Sequence, residues 1–308
     1  MSLPDPTPTE ATLSVRPFQN ADAPAVARLV TAGMRGHWTY TVEQFRESAD
    51  PGRVRLVAVN GDEVVATLHL SPFGSAASDA LRPDLAGDPT TFTALYLAAL
   101  ARLPNGFSRL LGVTREDWPE TMGFFHAAGS RNAWQSWGAH LDLTRFDPAP
   151  FAALEERLFL AGYEVERLGE NAPEGDWAAL HALHTLGIEN APRHPTTTPD
   201  PLTLAELREM VVREEVAFVV RLRGEIVAST RLTPQGREVE IEHTVTARDH
   251  RGRGLATVLG AHALGWASEE GYARASTGGA VLNLPMLRVN SRLGYVPEAM
   301  WVTWERRL

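Results

Sequence analysis

The residues with the clearest capacity for chemistry stand together at Arg251-Gly252-Arg253-Gly254-Leu255-Ala256. The first turn of a helix leaves about four backbone N–H groups without partners and carries roughly half a positive charge. A helix opening at Leu255 would present both to a diphosphate bridge. Gly252 and Gly254 lack Cβ atoms, so phosphate oxygens can come close to the backbone, while Arg251 and Arg253 can add charge-assisted contacts. The spacing is neither that of a Walker loop nor that of a dinucleotide fingerprint. Just upstream lies a second reactive set, Glu240, Glu242 and His243. A partly buried carboxylate with a raised pKa can take a proton from an ammonium, directly or through a water. The same glutamates could instead form a solvated strand face or hold a cationic substrate electrostatically.

The elements that must position these groups are legible around them. Glu238-Val239-Glu240-Ile241-Glu242-His243-Thr244-Val245 alternates charged and apolar residues. As a strand it is predicted to turn Val239, Ile241, His243 and Val245 one way and the glutamates the other. On that reading His243 faces away from the carboxylates, as a packed or hydrogen-bonded histidine. After the Arg/Gly turn, Leu255, Val258, Leu259, His262, Ala263 and Trp266 recur at helical spacing, and the helix is expected to stop at Gly271. Strand, glycine turn and amphipathic helix together suit a phosphorylated ligand. Residues 187–202, with Asn190, Arg193, His194 and several prolines, read either as a stiff surface loop or as a substrate cover. Trp38, Tyr40, Trp134 and Trp137 could line a pocket or belong to the core.

A tandem repeat frames the whole. Leu56–Pro72 and Phe218–Pro234 both read as β-hairpins, turning at Asn60-Gly61-Asp62 and at Arg223-Gly224-Glu225. Each follows an extended piece and a helical pattern, and each precedes a short helix stopped by a glycine, Gly129 or Gly294, and a last strand. The prolines of Asp147-Pro148-Ala149-Pro150 mark the join, giving expected domains at 1–148 and 155–308. The first half has no counterpart of the cradle. Leu81–Pro89 stands near its place, and prolines there remove donors that a phosphate site needs.

Arg251-Gly252-Arg253-Gly254-Leu255-Ala256, preceded by a strand, fits the signature Gln/Arg-x-x-Gly-x-Gly/Ala and resembles the GCN5-related N-acetyltransferase (GNAT) family. Asn283 and the later Leu293-Gly294-Tyr295 are similar to that family's next strand and helix. The resemblance implies an α/β fold of two tandem GNAT-like domains, each a mixed, mostly antiparallel sheet flanked by helices. The tandem layout is similar to the mycothiol synthase-like group, in which one half commonly keeps the cofactor site. It further implies acetyl-CoA as co-substrate, held by His243, Thr244, Val245, Arg251, Gly252, Arg253, Gly254, Leu255, Ala256 and Asn283, with backbone N–H groups near Thr244 and Val245 beside the thioester carbonyl. Glu240 and Glu242 are then the candidate bases. Asn290 stands where many members have a thiolate-protonating tyrosine, and an asparagine cannot be that acid, which leaves Tyr295 or water. The implied activity is acetyl transfer to an amine, most simply of a small molecule. A non-catalytic acyl-CoA sensor and a protein N-terminal or lysine acetyltransferase are the alternatives.

Composition bounds these readings. The formal charge of -9 argues against nucleic acid as a partner, since phosphate-backbone binding depends on net positive attraction. With no cysteine there is no disulfide, thiolate metal site or cysteinyl-acyl intermediate, so acyl transfer is expected to be direct and no metal is expected. No apolar run approaches the roughly 20 residues of a membrane span, and Met1–Glu10 lacks a signal-peptide pattern, so a cytoplasmic protein without a membrane partner is expected, monomeric or homodimeric.

Overall fold

The computed structural model describes residues 13–46, 52–74, 77–195 and 201–308. In chain order the first elements are β1 (Leu13–Pro17), α1 (Ala23–Gly33), β2 (Val54–Asn60), β3 (Glu63–Pro72), β4 (Ala80–Gly87), α2 (Phe92–Leu100), β5 (Arg109–Arg115), α3 (Pro119–Ala127) and β6 (Arg131–Asp142). There follow α4 (Ala152–Leu160), β7 (Tyr163–Arg167), α5 (Glu174–Asn190), α6 (Leu204–Arg213), β8 (Val216–Leu222), β9 (Glu225–Gln235), β10 (Glu238–Thr246), α7 (Leu255–Glu269), β11 (Arg274–Ala280), α8 (Leu284–Leu293), β12 (Val296–Pro297) and β13 (Trp301–Arg307). No helix among the described residues is long and apolar enough to cross a membrane.

The chain forms two compact units, residues 1–134 with 301–308, and residues 135–300. This division differs from the halves at 1–148 and 155–308 that the repeat suggests. The last strand of each half is counted with the other half's unit. In the first unit β1, β2, β3 and β4 pair antiparallel in sequence, β4 meets β5 in parallel, and β13 lies antiparallel to β5. In the second unit β7, β8, β9 and β10 repeat that meander, β10 meets β11 in parallel, and β6 lies antiparallel to β11. The strand pairing within each unit is mixed and mostly antiparallel, as expected. The matching hairpins pair Asn60 with Glu63 and Leu222 with Glu225, so each turn has two residues. Arg223 and Gly224 both take positive φ, 53° and 87°, the turn geometry that matches strand twist.

In the second unit the sheet is covered on two faces. Alternate residues of β8 divide between them: Phe218 and Val220 pack toward α7 with Val239, Ile241, Val258 and Leu259, while Ala217 and Val219 pack toward α5 with Trp177, Leu180 and Val245. Trp177 and Leu259 are 1% and 0% exposed, and burying such side chains contributes roughly 1.5–3 kcal/mol each. Both faces of the strands that carry the reactive residues are thereby pinned.

Candidate active site

β10 carries the decisive irregularity. Its pairing with β9 runs Glu240 to Thr233 and Ile241 to Leu232, then skips to His243 opposite Arg231 and continues with Thr244 opposite Thr230. Glu242 is the extra residue of a β-bulge. A one-residue insertion reverses which side of the sheet every later residue faces. The alternation predicted from the sequence therefore breaks: Val239 and Ile241 pack toward α7, but Val245 packs toward α5. His243 goes with Val245, and a Cβ on Gly187 of α5 would lie 2.7 Å from His243 Cε1 and 2.6 Å from Val245 Cγ2. The expectation that His243 faces away from the glutamates is corrected. Glu240, alternating with Ile241, shares the α5 side with it.

On its other edge β10 pairs in parallel with β11 only from Glu238–Arg274 to Ile241–Thr277. Thr277 Oγ1 donates to Ile241 O at 2.9 Å and closes that contact. From Glu242 to Thr246 no strand among the described residues pairs with this edge, so the two strands part beside Thr244 and Val245.

Beyond the parting point, the cradle residues occupy a turn from Arg251 to Gly254, and α7 begins at Leu255. Gly254 is the N-cap in a left-handed conformation, φ 96°, with no side-chain cap on the helix. Gly252 is also left-handed, φ 74°, and a Cβ there would meet nothing within 4 Å. The first amides of α7 are thus left to an external acceptor, which is the chemistry a diphosphate needs. Arg251 and Arg253 are exposed, and their guanidiniums donate to Thr246 O at 3.0 Å and Asp249 O at 3.2 Å. Leu255 is buried in the core below, and Ala256 is half-buried in the first turn. The set fits an acyl-CoA diphosphate.

In the first unit Asp88 caps the short turn Pro89–Thr91 that leads into α2, its carboxylate accepting from Thr90 N at 2.9 Å and Thr90 Oγ1 at 2.8 Å. α2 itself starts without a side-chain cap, as α7 does. The carboxylate on the preceding turn sets a negative charge ahead of α2, which opposes an anionic ligand there.

The remaining expected residues are spread. Asn283 caps α8 by accepting from Met286 N at 3.5 Å. Tyr295 is 4% exposed in the core against α7, its hydroxyl has no partner among the described residues, and burial raises its pKa. Asn290 is 5% exposed, and its Nδ2 has no partner. Of the loop 187–202, residues through Asn190 complete α5, and residues 196–200 lie outside the described residues. Trp38 is half exposed, whereas Trp137 is buried beside Gly279.

Sequence reasoning missed three residues behind His243. Arg231, buried in β9, bonds Glu215 Oε2 at 2.9 Å and reaches His184 Nδ1 at 3.4 Å. His184, buried in α5, packs its ring against His243 at a centroid distance of 4.7 Å. Burial and the Arg231 charge hold His184 down to about 4 and His243 to about 3, so both rings are neutral at neutral pH. Burial pushes the Glu215 carboxyl up against the pull of Arg231. The Glu242 carboxyl is likewise raised, by the protein packed around it and by the negative charge of Glu240. One signal was available: His184 shares the helical face of Trp177 and Leu180, at i+7 and i+4.

Residues 180–295, which hold the cradle, β10 and His184, match the model of the acetyltransferase (GNAT) family. Solved structures share the GNAT fold over nearly the whole chain. A GCN5-related N-acetyltransferase from Sphaerobacter thermophilus is 17% identical, with 96% of this chain and 95% of that chain covered and a TM-score of 0.59. A tandem GNAT protein from the clavulanic acid biosynthesis pathway is 22% identical, with 96% and 98% covered and a TM-score of 0.54. A GCN5-related glucosamine N-acetyltransferase region of a fungal multi-domain GH3 β-N-acetylglucosaminidase is 15% identical, with 98% and 39% covered and a TM-score of 0.61. No curated protein matches the sequence. The GNAT segment supports acyl-CoA-dependent N-acetyltransfer as the general activity.

Proposed function

We propose that the second unit acetylates the amine of a small molecule by direct transfer from acetyl-CoA, and that the first unit, similar in layout to the non-binding half of mycothiol synthase-like proteins, holds no cofactor. The observation that carries this reading is the uncapped start of α7 at Gly254 beside the parting of β10 from β11. Bound there, acetyl-CoA would supply the acetyl group as a reactive thioester.

The chain's own residues divide the work. Amides from Gly252 to Ala256 would bind the diphosphate, with Arg251 and Arg253 adding charge. Backbone N–H groups at Thr244 and Val245, on the edge that β11 leaves, would polarise the carbonyl. Glu242, with its raised pKa, would take the proton of the incoming ammonium. The amine nitrogen then forms the N–C bond as the C–S bond breaks, the electron pair leaving on sulfur and the nitrogen's second proton ending there. Tyr295 would deliver that proton, or water would do so in its place.

A non-catalytic acyl-CoA binder is the second reading, favoured by Asn290, whose carboxamide has no proton to give a thiolate. An acceptor panel scored by free-thiol release separates the two. Release with at least one amine is expected, whereas tight CoA binding with no release for any amine would establish the sensor.

A further inference from the structure

The bulge at Glu242 has placed a histidine opposite Arg231, where unbroken pairing would have put a glutamate. His243 is half-buried on the α5 side of β10, next to the parted edge and on the same side as Glu240. Behind it stands a short series of contacts: His184 packs its ring against that of His243, Arg231 reaches His184 Nδ1, and Glu215 holds Arg231. Arg231 and Glu215 expose only 5% and 2% of their side chains, so this bracing is interior. Because Arg231 donates to Nδ1, the neutral His184 ring carries its hydrogen on Nε2. A buried ion pair behind two buried or half-buried imidazoles is a costly arrangement to maintain for packing alone.

We propose that His243 receives the acceptor amine, as a positioning residue beside Glu242, and that the acceptor is a cationic amine with no carboxylate next to it. The assignment rests on the acetyltransfer reading. A neutral imidazole offers a lone pair to an ammonium N–H without adding a competing positive charge. The surrounding charge sets the class of substrate: Glu215, Glu240 and Glu242 gather near Arg231, and its guanidinium is already committed to Glu215 and His184. An α-carboxylate on the acceptor would meet Glu240 and Glu242, and like charges brought together in a shielded site repel strongly.

The test uses the full chain, acetyl-CoA and two matched pairs of probes, serinol against serine and tyramine against tyrosine, with kinetics followed by thiol release. The amines without carboxylates should have kcat/KM at least about 10-fold above their amino-acid partners. The side chain of His243 is turned toward α5, so only its backbone is left for the acetyl-CoA role that the family resemblance implies. His243→Ala keeps that backbone and should raise the amine KM about 10-fold or more while the acetyl-CoA KM stays within about twofold, and His243→Gln, whose carboxamide oxygen also accepts an N–H, should recover part of the loss. A merely structural role would lower the thermal midpoint without that split. Preference for the amino acids, or an unchanged amine KM in His243→Ala, overturns the assignment while leaving acetyltransfer intact. A parent protein that releases no thiol with any of the four probes overturns this assignment together with the reading beneath it, and its CoA affinity, measured separately, tells whether the cradle stands.

Discussion

His243 stands directly opposite Arg231 in the β9–β10 ladder, one residue later than unbroken pairing would put it. The offset sets an interior ion pair behind two packed imidazoles, and that pair is testable. Arg231→Met should destabilise the second unit by about 3–5 kcal/mol, because Glu215 is left buried and unpaired. Replacing Glu215 with Gln in the same chain should restore part of that loss, since no uncompensated charge then remains. Denaturant unfolding of the two variants beside the parent reads the difference. Equal losses in single and double variants would mean that the charge of Glu215 is not what Arg231 supports.

Acid should unfold the second unit through its two imidazoles. The folded-state pKa of His184 is about 4 and that of His243 about 3, both below the ordinary 6.5. As pH falls below 6.5 the unfolded chain takes up protons that the folded chain refuses, so stability present above 6.5 is lost toward pH 4. Each group contributes up to ~1.4 kcal/mol per pH unit in that window. His184→Gln should therefore show a smaller drop in thermal midpoint between pH 7 and pH 5 than the parent. An identical drop would show that His184 is not held neutral by the fold.

How far the sequence discloses the site depends on whether a feature is local. The glycine turn is: Arg251 to Ala256 follow one another, and Gly252 and Gly254 take the positive φ of that turn before α7 begins. The repeat is also legible, because its hairpins are set by neighbouring residues such as Arg223 and Gly224. The facing of His243 is not. It hangs on the extra residue Glu242, and a bulge shows only against the partner strand, where Arg231 and Leu232 are consecutive while Ile241 and His243 are not. Nor does local pattern tell that β6 will pair with β11 and β13 with β5, since an amphipathic last strand suits either partner. The pairing of Arg231 with Glu215 spans 16 residues and two strands, and it is visible only once β8 lies beside β9.

The two strand carboxylates should separate by their pH profiles. With Glu242 as base, the acid limb of kcat/KM follows its pKa, which lies above the usual carboxylate range through burial and the charge of Glu240. Glu240→Gln removes that neighbouring charge, so the limb should move to lower pH while the plateau rate changes by no more than a few-fold. Glu242→Gln should lower the plateau by about 10²-fold or more. If instead Glu240→Gln carries the large loss and Glu242→Gln only shifts the limb, the roles are reversed.

The cradle is best tested at Gly252 rather than Gly254. A side chain at Gly254 would press on Leu154, whose methyl carbons lie 3.0 and 3.1 Å from the position of its Cβ, so loss of binding there could follow from a displaced α4. At Gly252 the space is open, and only the left-handed backbone opposes substitution, by roughly 1–2 kcal/mol. Asp and Asn tolerate that conformation best and have the same size, so the pair isolates charge from bulk. Gly252→Asp should weaken CoA by about 100-fold, equivalent to ~2.7 kcal/mol, and Gly252→Asn by clearly less. Calorimetry should show one CoA per chain in the parent, because the Asp88 carboxylate sets a negative charge on the turn ahead of α2 in the first unit. Equal affinities for the Asp and Asn variants would place the diphosphate away from the start of α7.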